Sequence, residues 1–233
     1  MVDPNGPVID TTAADAPVRV LDEGDVGRPG HPVLQDEARI VDSADVDDSA
    51  VIGRLSQIWH FAQIREGARL GRSCVVGRGA YIGPDVQIGD HVKIQNYALV
   101  YQPAVLEDGV FVGPAVVLTN DLHPRAVDVR GRPKTAAGWT PAAVHVREGA
   151  SLGARSVCVA PVTIGRWAMV GAGAVVVDDV PDFALVVGVP ARRVGWVGHA
   201  GFPLRPDGDA TWQCEKTGAR YVETEGSLHE ITT

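Results

Sequence analysis

The sequence predicts a left-handed parallel β-helix built from six-residue repeats, and three observations support this fold class. Aromatic residues make up only 6% of the 233 residues, whereas the chain contains 27 Gly and 16 Pro. This composition favours many tight corners around a core of small aliphatic side chains. A six-residue hydrophobic period runs through most of the chain, and one long polar segment interrupts it.

An aliphatic residue recurs at every sixth position in the first part of the repeat. The fourteen members are Ile40, Val46, Ile52, Ile58, Ile64, Leu70, Val76, Ile82, Ile88, Ile94, Val100, Leu106, Val112 and Leu118. With 45% hydrophobic residues overall, chance would produce such a run roughly once in 10⁵ trials. The period fits neither an amphipathic helix nor a simple alternating strand. It predicts a short strand plus a corner, with three such units closing one triangular coil, so that successive coils stack at about 4.8 Å.

The position four residues after each aliphatic is small or β-branched and is predicted to fill the corner. Its members are Ala44, Ala50, Ser56, Ala62, Ala68, Cys74, Ala80, Val86, Val92, Ala98, Ala104, Val110, Val116 and Leu122. The residue directly after the aliphatic is often glycine, which suits either unusual dihedral angles or close approach of a neighbour. We interpret Cys74 and Cys158 as small buried hydrophobes, since three cysteines are too few for a disulfide framework or a zinc cage.

The period is lost after Leu118 and then recovered in a different phase. The second aliphatic series is Val146, Leu152, Cys158, Ile164, Val170 and Val176, with corner residues Ala150, Ser156, Val162, Ala168, Ala174 and Val180. This offset predicts an insertion of roughly 22 residues, at about 120–142, that leaves the prism and returns to it. A loop of that length in a compact domain is usually functional.

The chain therefore divides into three parts. Residues 1–37, rich in Asp, Pro and Gly, are predicted to be an acidic and weakly ordered extension. Residues 38–180 form the β-helix with its loop, and residues 181–233 leave the repeat as a closing segment. Alternation around Trp212 and Tyr221 predicts a small hairpin in that segment.

The charge distribution excludes two classes of partner. The formal net charge is -8, and residues 1–50 carry twelve Asp and Glu against three Arg, so the body is nearly neutral. Without a basic stripe or a polybasic segment, we expect no nucleic-acid partner and no membrane partner. The chain shows neither a secretory signal nor an apolar run of 18 residues, so we expect a cytoplasmic protein.

One edge of the predicted prism carries side chains that packing does not require. Stacking in steps of 18 places His60, Arg78, Asn96 and Pro114 there. Asn96 has two interpretations: a left-handed corner residue, which asparagine tolerates, or a carboxamide that accepts a hydrogen bond from a nucleophilic amine. His60 is expected to support a substrate or to face solvent.

The long loop supplies further candidates, one face away from that edge. His123 is the candidate general base, because histidine commonly transfers protons in enzymes and this one lies where it can reach a substrate; the alternative is a merely solvated histidine. The candidate substrate-binding residues are His60, Tyr101, Asn120, Asp121 and Arg125. Arg130, Arg132 and Lys134 are additional candidates for binding phosphates.

Two more features complete the predicted site. Backbone N–H groups near Gly113, where no side chain obstructs approach, are candidates to stabilise an oxyanion. Arg192 and Arg193 are candidates to bind the phosphates of a coenzyme. No metal site is expected.

Several motifs resemble those of the hexapeptide-repeat acyltransferases, and within them the N-acetyltransferases of nucleotide-linked 3-amino sugars. The resemblance covers about residues 38–222. Its most specific motifs are Ile58-Trp59-His60-Phe61, Lys93-Ile94-Gln95-Asn96, the stretch from Glu107 to Pro114, Thr119-Asn120 with Pro124-Arg125, and Val187 to Arg192 followed by Gly195-Trp196; Cys214, Thr217-Gly218 and Tyr221 form a tail signature.

The resemblance implies a homotrimer with active sites between subunits, acetyl-coenzyme A along the prism and a UDP- or dTDP-linked amino sugar under the loop. It also implies that Asn96 lies beside the acceptor amine. Members of this branch commonly carry Asn where His123 falls, so the family does not require a histidine base.

Two alternatives from other functional classes stay open. A metal hydratase of the γ-carbonic-anhydrase type shares this fold, but it needs three histidine ligands, usually including a pair five residues apart. His60, His91, His123 and His145 include no such pair. A non-catalytic β-helix scaffold is the second alternative, which the polar loop and the motifs disfavour.

Overall fold

A computed structural model describes residues 20–21, 37–135 and 138–231 of the chain. The acidic extension predicted for residues 1–37 lies outside the described residues, apart from Glu37 and the short strand Val20–Leu21. Across the described ranges, no helix has the length and apolar character that a membrane crossing would require.

The described residues form 27 short β-strands, and most of these belong to three sheets. Sheet 1 contains β1 (Val20–Leu21), β2 (Arg39–Val41), β5 (Gln57–Ile58), β8 (Val75–Val76), β11 (Lys93–Ile94), β14 (Phe111–Val112), β17 (Ser151–Leu152), β20 (Met169–Val170), β22 (Ala184–Val187) and β23 (Arg192–Trp196). Sheet 2 contains β3 (Asp45–Val46), β6 (Gln63–Ile64), β9 (Tyr81–Ile82), β12 (Leu99–Val100), β15 (Val117–Leu118), β18 (Val157–Cys158) and β21 (Val175–Val176). Sheet 3 contains β4 (Val51–Ile52), β7 (Arg69–Leu70), β10 (Gln87–Ile88), β13 (Val105–Leu106), β16 (Val144–Val146) and β19 (Val162–Ile164).

The chain visits the three sheets in turn, and equivalent residues of successive coils pair in parallel. Ile94 pairs with Val112, and Val100 pairs with Leu118, both 18 residues apart. The Gly77 N–H donates to the Ile94 carbonyl at 2.7 Å, as the ladder between coils requires. The predicted parallel β-helix is therefore confirmed, with about eight turns, and the structure is consistent with left-handed coiling.

The core of the prism consists of the two aliphatic series and the corner residues. In both aliphatic series every member is buried except Val46, which is half-buried in the first coil. Cys74 and Cys158 are buried as predicted, and burial raises the pKa of the Cys158 thiol to about 12. Leu122 was wrongly placed in the corner series: it is 46% exposed, because the chain leaves the prism after Leu118.

The glycines that follow the aliphatic residues are explained by close approach between coils. A Cβ atom added to Gly53 would lie 2.4 Å from the Gly71 carbonyl carbon. At Gly153 it would lie 2.5 Å from the Ala172 nitrogen. Both distances are shorter than atoms can approach, so the next coil lies where a side chain would start.

The long loop leaves after β15 and returns at β16, at the edge between sheets 2 and 3. Leu106 pairs with Val146, so the paired residues of these two coils are 40 residues apart instead of 18. The 22 extra residues form the loop. At its base the Asn120 carbonyl accepts a hydrogen bond from the Ala142 N–H at 3.0 Å. The stacking of coils therefore continues undisturbed above and below the insertion.

A four-stranded antiparallel sheet follows the prism: β24 (Arg205–Pro206), β25 (Thr211–Gln213), β26 (Arg220–Thr224) and β27 (Ser227–Glu230). Trp212 pairs with Tyr221, which confirms the predicted hairpin. Tyr221 is 1% exposed, and its ring centroid lies 5.7 Å from that of Phe183 at the end of the prism. This sheet therefore packs on the last coil instead of standing free.

Two buried serines occupy equivalent corner positions but differ in their hydrogen bonds, which predicts opposite effects on stability. The Ser56 hydroxyl donates to the Gly71 carbonyl at 3.0 Å and accepts from the Cys74 N–H at 2.9 Å. The Ser156 hydroxyl is buried, and it has no hydrogen-bond partner among the described residues. We expect Ser56→Ala to lower the free energy of unfolding by about 1–2 kcal/mol, and Ser156→Ala to raise it by about 1 kcal/mol. Urea unfolding of both variants measures this, and a lower stability of Ser156→Ala would contradict it.

Candidate active site

The edge between sheets 1 and 2 carries the stacked column predicted from the sequence. We call it the Asn96 edge, and define it by His60, Arg78, Asn96 and Pro114. These residues follow β5, β8, β11 and β14, at the same place in four successive coils. Three of the four lie outside the core on corners that project into solvent, and His60 is half-buried.

Asn96 is exposed and does not point into the aliphatic core. Its Oδ1 accepts a hydrogen bond from the Arg78 backbone N–H at 2.9 Å. Two aspartates make the same bond at another edge. Asp90 Oδ1 accepts from the Arg72 N–H at 2.7 Å, and Asp108 Oδ1 accepts from the Asp90 N–H at 2.7 Å. The Asn96 oxygen therefore has a structural role that joins two coils, while a carbonyl oxygen can accept a second hydrogen bond.

His60 is oriented by the coil before it. Its Nδ1 lies 2.7 Å from the Ser43 hydroxyl, and its ring centroid lies 6.2 Å from that of Phe61. Because the serine holds one ring nitrogen, the imidazole is fixed in orientation. His60 and Asn96 therefore present polar atoms on one edge, two coils apart.

Gly113 does not offer its own N–H group to an oxyanion. That N–H donates to the Leu152 carbonyl at 2.8 Å, as part of the ladder between coils. Pro114 has no N–H, and the Ala115 N–H donates to the Asn96 carbonyl at 2.9 Å. The ladder therefore uses the Gly113 N–H, and close approach of the next coil explains the glycine, because a Cβ there would lie 2.6 Å from the Leu152 oxygen.

A second group of predicted residues lies at the edge between sheets 2 and 3, where the loop departs. The Tyr101 ring is half-buried, with its centroid 5.2 Å from that of Tyr81. The Asn120 side-chain amide donates to the Gln102 carbonyl at 2.8 Å. Asp121 Oδ1 accepts from the His123 N–H at 2.9 Å. Asn120 and Asp121 thus shape the base of the loop through bonds to the backbone.

The outer part of the loop exposes the remaining candidates. His123 and Arg125 are both exposed, and Arg125 Nη1 donates to the Pro124 carbonyl at 2.9 Å. Arg132 forms an ion pair with Asp128 at 2.7 Å within the loop. The His123 side chain is therefore accessible to a substrate or a neighbouring chain.

The two groups lie at opposite edges of sheet 2 in one chain. Asn96 and Tyr101 are five residues apart along one side of a coil, which at about 3.3 Å per residue separates their backbones by up to about 16 Å. Within one chain, Asn96 and the base of the loop therefore lie at different edges of the coil.

Arg192 and Arg193 lie near the end of the prism, on β23. Arg192 is 3.3 Å from Asp178, while Arg193 lies 3.2 Å from Glu223 and 4.1 Å from the centre of the Trp196 ring. Burial raises the pKa of the Glu223 carboxyl, but hydrogen bonds from Trp196 and Arg193 outweigh it and hold that pKa below its ordinary value. Both arginines are therefore ion-paired, and Arg192 is the more exposed of the two side chains, at 63% against 39%.

The sequence did not point to Glu223 or to the Tyr97 ring beside the Asn96 edge, and it offered Phe61 only as part of the Ile58-Trp59-His60-Phe61 motif. Glu223 lies 30 residues from Arg193, and no local spacing predicts that contact. Phe61 and Tyr97 lie at a corner position that holds Gly79 and Ala115 in neighbouring coils. Because the residue type varies at this position, the sequence shows no repeating pattern that would predict two exposed rings. Over the described parts of this single chain, no cluster of three or more His, Cys, Asp or Glu side chains is arranged to hold a metal ion.

Comparison with known proteins identifies related sequences over part of the chain. No family model matches it. One match is to dTDP-3-amino-3,6-dideoxy-alpha-D-galactopyranose 3-N-acetyltransferase from Aneurinibacillus thermoaerophilus, with 46% identity over 87 residues. This match covers 37% of this chain and 44% of that protein. Another match is to serine acetyltransferase from Escherichia coli, with 36% identity over 88 residues, and it covers 37% of this chain and 31% of that protein. The matches thus span less than half the length of these curated relatives.

Solved structures of acetyltransferases also resemble the fold. The hexapeptide-repeat acetyltransferase VCA0836 from Vibrio cholerae, in complex with acetyl-coenzyme A, is 25% identical with a TM-score of 0.45, and covers 56% of this chain and 70% of that one. PerB from Caulobacter crescentus, in complex with coenzyme A and GDP-perosamine, is 25% identical with a TM-score of 0.40, and covers 68% of this chain and 57% of that one. The sequence matches to acetyltransferases, each over 37% of this chain, are what confirms the resemblance predicted from the motifs.

Proposed function

We propose, from this resemblance to the hexapeptide-repeat acetyltransferases, that the protein transfers an acetyl group from acetyl-coenzyme A to the amino group of a nucleotide-linked amino sugar. The observation that carries the proposal is the 46% identity over 87 residues to an N-acetyltransferase of a dTDP-linked 3-amino sugar. We further propose a 3-amino group on a UDP- or dTDP-linked sugar as the acceptor, and a cytoplasmic location.

The reaction needs few chemical groups from the protein. An unprotonated amine attacks the thioester carbonyl, and a C–N bond forms to give a tetrahedral oxyanion. The C–S bond then breaks, and the coenzyme A thiolate takes the proton that the amine loses. Holding the two reactants in line supplies most of the rate in such a reaction.

In this proposal Asn96 lies beside the acceptor amine. Its oxygen already accepts from the Arg78 N–H, so its orientation is fixed before a substrate arrives. A second hydrogen bond to that oxygen would direct the amine lone pair toward the thioester. His60, held by Ser43, would contact the sugar from the same edge.

A homotrimer would complete the site. The loop residues Asn120, Asp121, His123 and Arg125 lie across sheet 2 from Asn96, so a neighbouring chain's loop would bring them together. Outward side chains on sheet 2, including Leu99, Val117 and Val157, are apolar and half-buried in the single chain, which favours contact with another subunit. Arg192 would meet the phosphates of acetyl-coenzyme A.

Thiol release tests the proposed activity. We expect the purified protein to release coenzyme A from acetyl-coenzyme A when a UDP- or dTDP-linked 3-amino sugar is present, measured with a thiol reagent. The matched control is the same sugar nucleotide with its amine already acetylated, which should give no release. No release with any such amino sugar, or no thermal shift with coenzyme A, would argue for a scaffold instead.

A further inference from the structure

The Asn96 edge carries two exposed aromatic rings that the proposed chemistry leaves unused. Phe61 is 59% exposed and Tyr97 is 56% exposed. They occupy the same corner position two coils apart, and Gly79 occupies that position in the coil between them. Exposed apolar side chains gathered along one edge form a candidate ligand-contacting surface.

The backbone at these corners does not require aromatic residues. Phe61 and Tyr97 have φ angles of 59° and 61°, a left-handed conformation that glycine adopts without strain, as Gly79 does at 64°. Trp167 and Phe183 take the same conformation at another edge, but their rings pack against His199, with centroids 4.7 and 4.9 Å away. The rings at the Asn96 edge stay more than half exposed, so packing within the chain does not explain them.

Phe61, Arg78, Gly79 and Tyr97 form a continuous surface, which we call the aromatic strip. The Arg78 guanidinium lies 4.7 Å from the centre of the Phe61 ring. The Tyr97 ring lies against Gly79, since a Cβ there would be 2.6 Å from Tyr97 Cε1. The strip thus combines flat apolar faces with one positive charge.

We propose that the aromatic strip binds a nucleoside diphosphate, with the base stacked on the rings and Arg78 facing the phosphates. Every nucleobase has a flat π-face that stacks on aromatic side chains. A guanidinium matches the charge and the geometry of phosphate oxygens. Asn96 holds the backbone of Arg78, so one residue links the strip to the amine position. This assignment rests on the proposed function, because it makes the strip the nucleotide subsite of the sugar substrate.

Glycine substitutions test the strip without straining the fold. Phe61→Gly and Tyr97→Gly each remove a ring from a left-handed corner that glycine tolerates. Leu55→Gly is the matched control, because Leu55 is 47% exposed with a φ of 63° at a different edge. The probes are dTDP, UDP and inorganic pyrophosphate, titrated by calorimetry into the full-length protein.

We expect dTDP or UDP to bind the wild type, and each ring deletion to weaken that binding about tenfold or more. Leu55→Gly should bind the nucleotide as the wild type does, and pyrophosphate affinity should not change in Tyr97→Gly or Leu55→Gly. Absence of binding to the wild type, unchanged nucleotide affinity in both ring variants, or an equal loss in Leu55→Gly would overturn the assignment.

The thiol-release assay separates this inference from the proposed function. If nucleotide binding depends on Phe61 and Tyr97 but the protein releases no coenzyme A with amino sugars, the proposed acetyl transfer would be overturned. The assignment of the aromatic strip as a nucleotide site would stand. If both ring variants transfer acetyl groups with an unchanged KM for the sugar nucleotide, the nucleotide-binding role of the aromatic strip would be overturned and the proposed acetyl transfer would stand.

Discussion

Replacing Asn96 with alanine is expected to lower turnover about 100-fold, because a misplaced amine loses its alignment with the thioester. The same change removes the acceptor of the Arg78 N–H, so the free energy of unfolding should fall by about 1 kcal/mol. Steady-state kinetics and urea unfolding measure the two effects separately. The control is Asp90→Ala, which removes an equivalent corner bond at another edge and should leave turnover unchanged.

Asn96→Asp distinguishes a functional role from a structural one. Asp makes the same corner bond at Asp90 and Asp108, so stability should stay near that of the wild type. The new carboxylate would favour the protonated amine, which is not a nucleophile, so turnover should fall about tenfold or more and recover partly at higher pH. Wild-type turnover in Asn96→Asp would show that Asn96 serves only to join the coils.

Gly153→Ala is expected to lower the stability of the prism strongly. The added Cβ would lie 2.5 Å from the Ala172 nitrogen and 2.7 Å from the Gly171 carbonyl carbon, both backbone atoms that cannot move independently. Separating these coils should cost about 3 kcal/mol. Thermal unfolding followed by circular dichroism measures the loss.

Gly195→Ala is the matched control for that substitution. Gly195 lies on β23, and no heavy atom lies within 4 Å of a Cβ added there. We expect its midpoint of unfolding to stay close to the wild-type value. Equal midpoints for Gly153→Ala and Gly195→Ala would contradict the close stacking that the structure shows.

The six-residue period was sufficient to predict the coil, because each aliphatic residue in it must reach the same interior. Ile58, Val76 and Ile94 stack in one column for that reason, and their burial follows directly from the spacing. The loop was predictable from the loss of phase after Leu118. Leu122 was misplaced because one more aliphatic residue kept the corner pattern after the strands had ended.

The candidate site was less predictable, because its residues combine two roles or depend on distant partners. Asn96 matched a family motif, yet its bond to the Arg78 N–H is a property of stacked corners that only coordinates reveal. Gly113 was chosen for its missing side chain, and the ladder uses its N–H. The contact between Arg193 and Glu223 depends on how the C-terminal sheet folds back onto the last coil.

The turn from β22 to β23 has a consequence for how the protein stays dispersed at high concentration. A parallel ladder that simply stopped would present a row of unsatisfied amides and carbonyls, onto which the first coil of another molecule could add. Here β23 runs antiparallel to β22, and at the opposite end of sheet 1 β1 pairs with β2. β23 thus covers the edge of β22 with an antiparallel strand, so a parallel coil of another molecule would find no matching ladder at that end, in the way that capping units protect other solenoids.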